Sequence, residues 1–279
     1  MRSFFNSMTG WAVVAGVLLV IGLYTAIMNL QNGYADFSLS MYNARFIYLI
    51  AIPLLTMRTL SDEKRQHTDQ LLYSSALNSY DIIVGKYLAT VTVLAIPSAI
   101  TCLYPLILSD HGRVPMGTAY SSILAFFMIG VALCAVGTFF SALSSNRFVS
   151  ALESFAAIMI CYFADELQMI LSTKISTALI FFSVAALALG AVMFAKTRSL
   201  KAAIITFAVP EIILAVIYFA APQMLDGSVS AVISSIAVFS VLDTFCNGLF
   251  DIPALLYCLS AAWLFVFFSV QEFEKRRWS

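Results

Sequence analysis

Charge is what this 279-residue chain has least of: Asp, Glu, Lys and Arg make up 11% of it, against 61% hydrophobic residues and a mean hydropathy of +0.93. So little polar material cannot coat a water-soluble globule, and the composition is that of an integral membrane protein. The 15 basic residues are matched by 15 acidic ones, so there is no basic excess to attract nucleic acid. Histidine is rarer still. His67 and His111 are the only two, one in each kind of loop, which leaves no cluster for a metal or for a general base within the membrane. Four of the five cysteines (Cys102, Cys134, Cys161 and Cys258) lie in apolar runs and only Cys246 in a loop, so they read as small hydrophobes rather than a disulfide framework. No Gly-rich loop ending in Lys-Ser or Lys-Thr is present to cradle phosphates.

What is present is apolar sequence in long runs. A helix needs about 20 apolar residues to cross about 30 Å of hydrocarbon. Eight stretches qualify: 11–30, 38–57, 82–108, 117–143, 148–170, 176–195, 202–221 and 252–270. The first follows the aromatic "SFFN" and has no small-residue cleavage site after it, so it is read as an anchored span rather than a leader. With the N-terminus inside, twelve basic residues fall on the inner side: Arg2, Arg58, Lys64, Arg65, Lys86, Arg147, Lys196, Arg198, Lys201, Lys275, Arg276 and Arg277. Only Arg45, Arg113 and Lys174 fall outside, where Asp36, Asp110, Asp165, Glu166, Asp226, Asp243 and Asp251 gather. The fold class that follows is an all-α polytopic membrane protein of about eight spans with both termini cytoplasmic, a single domain over 1–279. Within 222–251 the apolar core from Val229 to Leu242 would reach only about 21 Å as a helix, too short to span, so this segment is expected to be an external amphipathic or re-entrant helix.

The scarce charge is concentrated. "MRTLSDEKRQHTDQLL" holds Arg58, Asp62, Glu63, Lys64, Arg65 and Asp69 in the inner loop after the second span, a loop (58–81) longer than a turn requires. Thr59 and Ser61 are placed to cap a helix with Asp62 and Glu63 in its first turn, where the positive dipole end favours carboxylates. Thr68 is placed to cap a second short helix whose apolar face carries Leu71 and Leu72, and Asn78 or Ser79 to cap the third span. Two readings of the loop stay open on these residues alone: a positive-inside loop that only fixes topology, and a rigid docking element for a cytosolic partner.

Elsewhere, Glu153 and Glu211 are the two carboxylates placed inside spans, where an ionised group costs about 2.5–3.5 kcal/mol or more unless paired or hydrated. Either is a candidate for handling protons or substrate, against the plainer reading that Glu153 snorkels to the inner surface and Glu211 is protonated or paired inside the bundle, and Arg45 is a candidate for an external gate or an interfacial anchor. "DTFCNGLFD" before the last span reads as a turn on Asn247-Gly248 or as part of the same gate.

The segment "IPLLTMRTLSDEKRQHTDQLLYSSALNSYDIIVGKYLA" resembles the characteristic block of ABC-2-type ABC transporter permeases, in particular the gliding-motility-type and nitrous-oxide-reductase-maturation-type branch. The likeness rests on Pro53, Met57 with Arg58, Glu63 with Lys64, Thr68, Leu71 with Leu72, and Gly85 with Lys86, in that order. "SFFNSMTGWAVVAGVLLVIGLY" and "FCNGLFDIPALLYCLSAAWLFVFFSVQEFEKRRW" are similar to the family's opening and closing spans. His67 and Ala76 stand where the family usually has Gly and Pro, and 172–221 looks like a two-span insertion into a six-span core. The resemblance implies an exporter permease coupled to a separate cytosolic ATPase. Arg58, Asp62, Glu63, Lys64, Arg65, Thr68, Leu71, Leu72 and Lys86 would form the coupling region. This chain would bind no cofactor and catalyse no reaction, since ATP and Mg belong to the ATPase. The implied partners are that ATPase, a second permease copy or a sister permease, the bilayer, and an accessory membrane or extracytoplasmic subunit where one exists. The alternative from the residues is a proton-coupled secondary transporter using Glu153 or Glu211.

Overall fold

A computed structural model of the chain describes residues 8–65, 78–110, 112–170 and 227–278, together with single positions between 179 and 214. Among the described residues all regular structure is helical, without a strand. They form α1 (Met8–Tyr24) continued by a π-helical stretch (Thr25–Gln31), then α2 (Phe37–Ala44), a 3-10 turn (Arg45–Ile47) and α3 (Tyr48–Thr56). After these come α4 (Ser61–Arg65), α5 (Ser79–Thr101), α6 (Tyr104–Ser109), α7 (Met116–Leu143) and α8 (Arg147–Ile170). The chain closes with α9 (Ser228–Ser234), α10 (Ser240–Cys246) and α11 (Ile252–Trp278).

Among the described residues, six helical segments are long and apolar enough to cross a membrane: Thr9–Gln31, Phe37–Arg65, Ser79–Ser109, Met116–Leu143, Arg147–Leu167 and Ile252–Arg276. They coincide with six of the eight stretches read from the sequence. The other two, 176–195 and 202–221, lie almost wholly outside the described residues. The chain divides into two compact units, residues 1–162 with 238–279, and residues 163–237.

In the first unit α7 is the central helix, packed against α2, α3, α5, α10 and α11. Its apolar window is 72% buried, against 22–33% for the first, third, fifth and last spans. Small residues on α7 make this possible, because without a hydrophobic drive in lipid, helices associate by close backbone approach and cross-helix hydrogen bonds. A Cβ on Gly137 would meet Thr56 Cγ2 and Cβ at 2.8 and 2.9 Å, and one on Gly130 would meet the Tyr48 hydroxyl at 2.9 Å. Tyr48 Oη donates to the Phe126 carbonyl (2.8 Å) with the two rings stacked at 4.3 Å, and Tyr87 Oη donates to the Val131 carbonyl (3.0 Å).

The segment expected to form one short helix from Val229 to Leu242 instead forms two seven-residue helices, α9 and α10. Ser234 and Ser235 return their hydroxyls to the Ala231 and Val232 carbonyls, taking up acceptors where α9 ends. Each helix reaches about 10 Å. In the second unit α9 follows Gly227 (φ +76°), and Val229, Ile233 and Ala237 cluster with Ala164.

Candidate functional site at the charged end of the bundle

The charged stretch lies at the end of the first unit where six helix ends meet. Thr9 near the start of α1, the end of α3, the start of α5, the end of α7, the start of α8 and the end of α11 are all tied there. Arg58 Nη1 donates to Thr9 Oγ1 at 3.3 Å. Leu60 N–H and Ser61 N–H both donate to Ser141 Oγ of α7 (3.1 and 3.2 Å), so a distant serine satisfies orphan donors at the start of α4. The proposed caps therefore act differently than the sequence implied. Thr59 and Ser61 return their hydroxyls to the Thr56 and Met57 carbonyls and close α3 rather than open α4. Asn78 occupies the N-cap position of α5, but its side chain makes no capping bond.

Within α4 the acidic residues come first and the basic ones last, as its dipole favours. Its charges are nevertheless spent on neighbouring helices. Asp62 pairs with Arg147 at the start of α8, and Glu63 pairs with Lys86 two turns into α5. Lys86 also donates to the Thr59 carbonyl at 3.1 Å. Lys64, only 7% exposed, donates to the Ala142 carbonyl, one of the unpaired carbonyls at the end of α7. Arg276 of α11 donates to the adjacent Leu143 carbonyl at 2.6 Å and pairs with Glu272. Arg65 alone in α4 is exposed. Of the residues singled out from the sequence, Arg58, Asp62, Glu63, Lys64 and Lys86 are thus brought together. Thr68, Leu71 and Leu72 lie outside the described residues.

The remaining candidates are elsewhere. Arg45 sits in the 3-10 turn that interrupts the second span, 3% exposed, toward the opposite end. Its guanidinium lies over the Tyr42 ring at 4.0 Å and the Tyr162 ring at 5.2 Å, donates to Tyr42 Oη at 2.9 Å, and faces Asp243 of α10 at 3.9 Å. Around it the structure adds residues that sequence reading missed. Asn29 in the π-helical stretch donates to the Tyr34 and Asp36 carbonyls and accepts from Ser40. Asp36 caps α2 through Ser38 N–H at 2.9 Å, a cap legible in the Asp-Phe-Ser pattern. Cys246 and Ser38 bridge α10 to α2 at 3.4 Å, and burial, then Asp243 and Asp36, push the Cys246 thiol up to about 12. The Asn247-Gly248 pair is a turn: Gly248 (φ +79°) and Leu249 donate back to Phe245 and Thr244 in a Schellman arrangement. Glu153 lies on α8, and Glu211 occupies a half-buried helical position in the second unit.

The described structure is therefore that of a polytopic helical membrane protein with a tied, charged loop at one end. The comparison with protein families supplies the class: residues 19–172, more than half of the chain, match the ABC-2 family transporter protein family, and the chain belongs to it. No curated protein and no solved structure is similar enough to count as a match. It is a permease-type membrane component of an ABC transporter.

Proposed function

We propose that the chain is the permease subunit of an ATP-driven exporter in a bacterial cytoplasmic membrane, of the gliding-motility-type or nitrous-oxide-reductase-maturation-type branch, and that it carries out no catalysis itself. The observation that supports this best is the loop after the second span. Residues 58–65 are fixed to four other spans by Thr9, Lys86, Ser141, Ala142 and Arg147, and lead directly into 66–77. A push delivered by a cytosolic ATPase at 65–77 would reach α5 through Glu63–Lys86, α7 through Lys64 and Ser141, and α8 through Asp62–Arg147. The loop then acts as a rigid coupling element rather than as a topological marker. Two loops engage two ATPase copies in a homodimer or in a pair with a sister permease.

The basic residues at this end favour a cytosolic position for it. The fifth span leaves from that end and the last span returns to it, so the chain between them must cross the membrane an even number of times. Two further spans at 176–195 and 202–221, making eight, satisfy that parity and keep both termini inside. A second reading, proton-coupled transport without an ATPase, draws on Glu153, whose Oε2 is buried and unpartnered among the described residues. Reconstitution separates the two: substrate movement that requires a co-purified ABC ATPase and ATP supports the exporter, and movement driven by a pH gradient with this chain alone supports the second.

A further inference from the structure

Three buried polar atoms on one face of α8 have no hydrogen-bond partner among the described residues: Ser150 Oγ, Glu153 Oε2 and Ser154 Oγ. Both serines are 0% exposed. Positions 150, 153 and 154 stand at i, i+3 and i+4, so their side chains share a helical face with Cβ atoms about 5–6 Å apart. Serines in this protein's helices ordinarily bond back to a carbonyl one turn earlier, as Ser98, Ser122 and Ser269 do. Ser150 and Ser154 do not, nor does either hydroxyl donate to the carboxylate beside it, a bond that would satisfy two groups at once. The nearest basic residue in the helix, Arg147, is taken by Asp62. Buried polar atoms left open in this way mark a place where a ligand or ion completes the site, the more so when one belongs to a carboxyl group inside a span.

We propose that Ser150, Glu153 and Ser154 form a binding site for a compact cation, either an alkali-metal ion or the ammonium group of a transported amine. Carboxylate and hydroxyl oxygens are hard acceptors suited to both. One cation answers all three oxygens and the carboxylate charge together. A proton on Glu153 would remove the charge and supply a donor to at most one of the two serine oxygens, leaving the other open. The transport role of this site rests on the reading of the chain as a permease, whereas cation binding itself needs no ATPase.

The test uses the full-length chain in lipid nanodiscs, with choline chloride replaced stepwise by sodium, potassium or methylammonium chloride at constant ionic strength and thermal unfolding followed by intrinsic fluorescence. A saturable rise in Tm is expected with at least one of these cations. Its apparent affinity should fall by about tenfold or more in Glu153→Gln and in the double variant Ser150→Ala/Ser154→Ala. A rise with sodium or potassium assigns an inorganic ion, and a rise with methylammonium alone assigns the amine of a substrate. If Glu153→Gln does not insert, the serine pair, which keeps the charge, carries the comparison. No saturable rise with any of the three, or an unchanged rise in the variants, overturns the proposal while leaving ATPase coupling untouched.

Discussion

Reversing Glu63 is the obvious way to probe an acidic residue at a docking surface, and the structure shows why its first effect falls on the permease itself. Glu63→Lys would set a lysine against Lys86, leave Lys86 with the Thr59 carbonyl alone, and place a positive charge in the first turn of α4. Removing one partner of a fully buried pair costs about 3–5 kcal/mol, and an exposed pair contributes about 0–1 kcal/mol. Here the Lys86 and Glu63 side chains are 19% and 32% exposed, so a loss of about 1–2 kcal/mol is appropriate, to which the dipole adds about 0.3–1 kcal/mol. The exchange Glu63→Lys/Lys86→Glu restores the pair but neither the dipole term nor the bond from position 86 to the Thr59 carbonyl. It should therefore recover about 2–4 kcal/mol relative to the sum of the single variants, each of which loses the pair, and remain less stable than the native chain. The assay is a double-mutant cycle on unfolding in nanodiscs, read beside the ATP-hydrolysis coupling of the complex. Additive single variants, or a stable Glu63→Lys, would refute the pairing of the loop with α5.

Close packing on α7 gives a second expectation. Gly137→Leu and Gly130→Leu should destabilise by about 1–3 kcal/mol, whereas Gly85→Ala, with nothing within 4 Å of an added Cβ, should not destabilise, as measured by thermal unfolding in detergent. In a chain whose other four cysteines are alanine, Cys246 should react slowly with a maleimide from pH 7 to 9. With its folded pKa raised to about 12, the thiolate is about one part in ten thousand at pH 8, and appreciable reaction there would contradict the buried Ser38 contact. Reporters fused after Ser279 or inserted at 197–199 should read cytoplasmic and one at Gly112 external. An external reading at 197–199 would remove the two-span insertion.

Six of the spans were legible because an apolar run of about 20 residues has one use in a chain this hydrophobic, and the loop was legible because its charge had no other place to go. Its partners were not. Asp62 meets Arg147 85 positions away and Glu63 meets Lys86 23 positions away, and nothing local in a sequence encodes such pairings. Capping hydroxyls were misjudged because Thr59 and Ser61 can serve the helix behind them as well as the one ahead, and Ser141 had already supplied the donors' acceptor. Arg45 was visible as a charge near a span end, but its tyrosine cage and its partner Asp243 depend on α8 and α10 arriving beside the second span.

The central claim, that the loop after the second span meets an ATPase, is tested most directly by crosslinking at its exposed edge. Arg65→Cys, in a chain with its five native cysteines replaced, would be treated in membranes with a short bifunctional thiol reagent beside a co-expressed cytosolic ABC ATPase subunit, with Gly112→Cys at the opposite end as the control. A permease–ATPase crosslink at position 65 and none at position 112 is expected. No crosslink at 65, or an equal one at 112, would contradict the account.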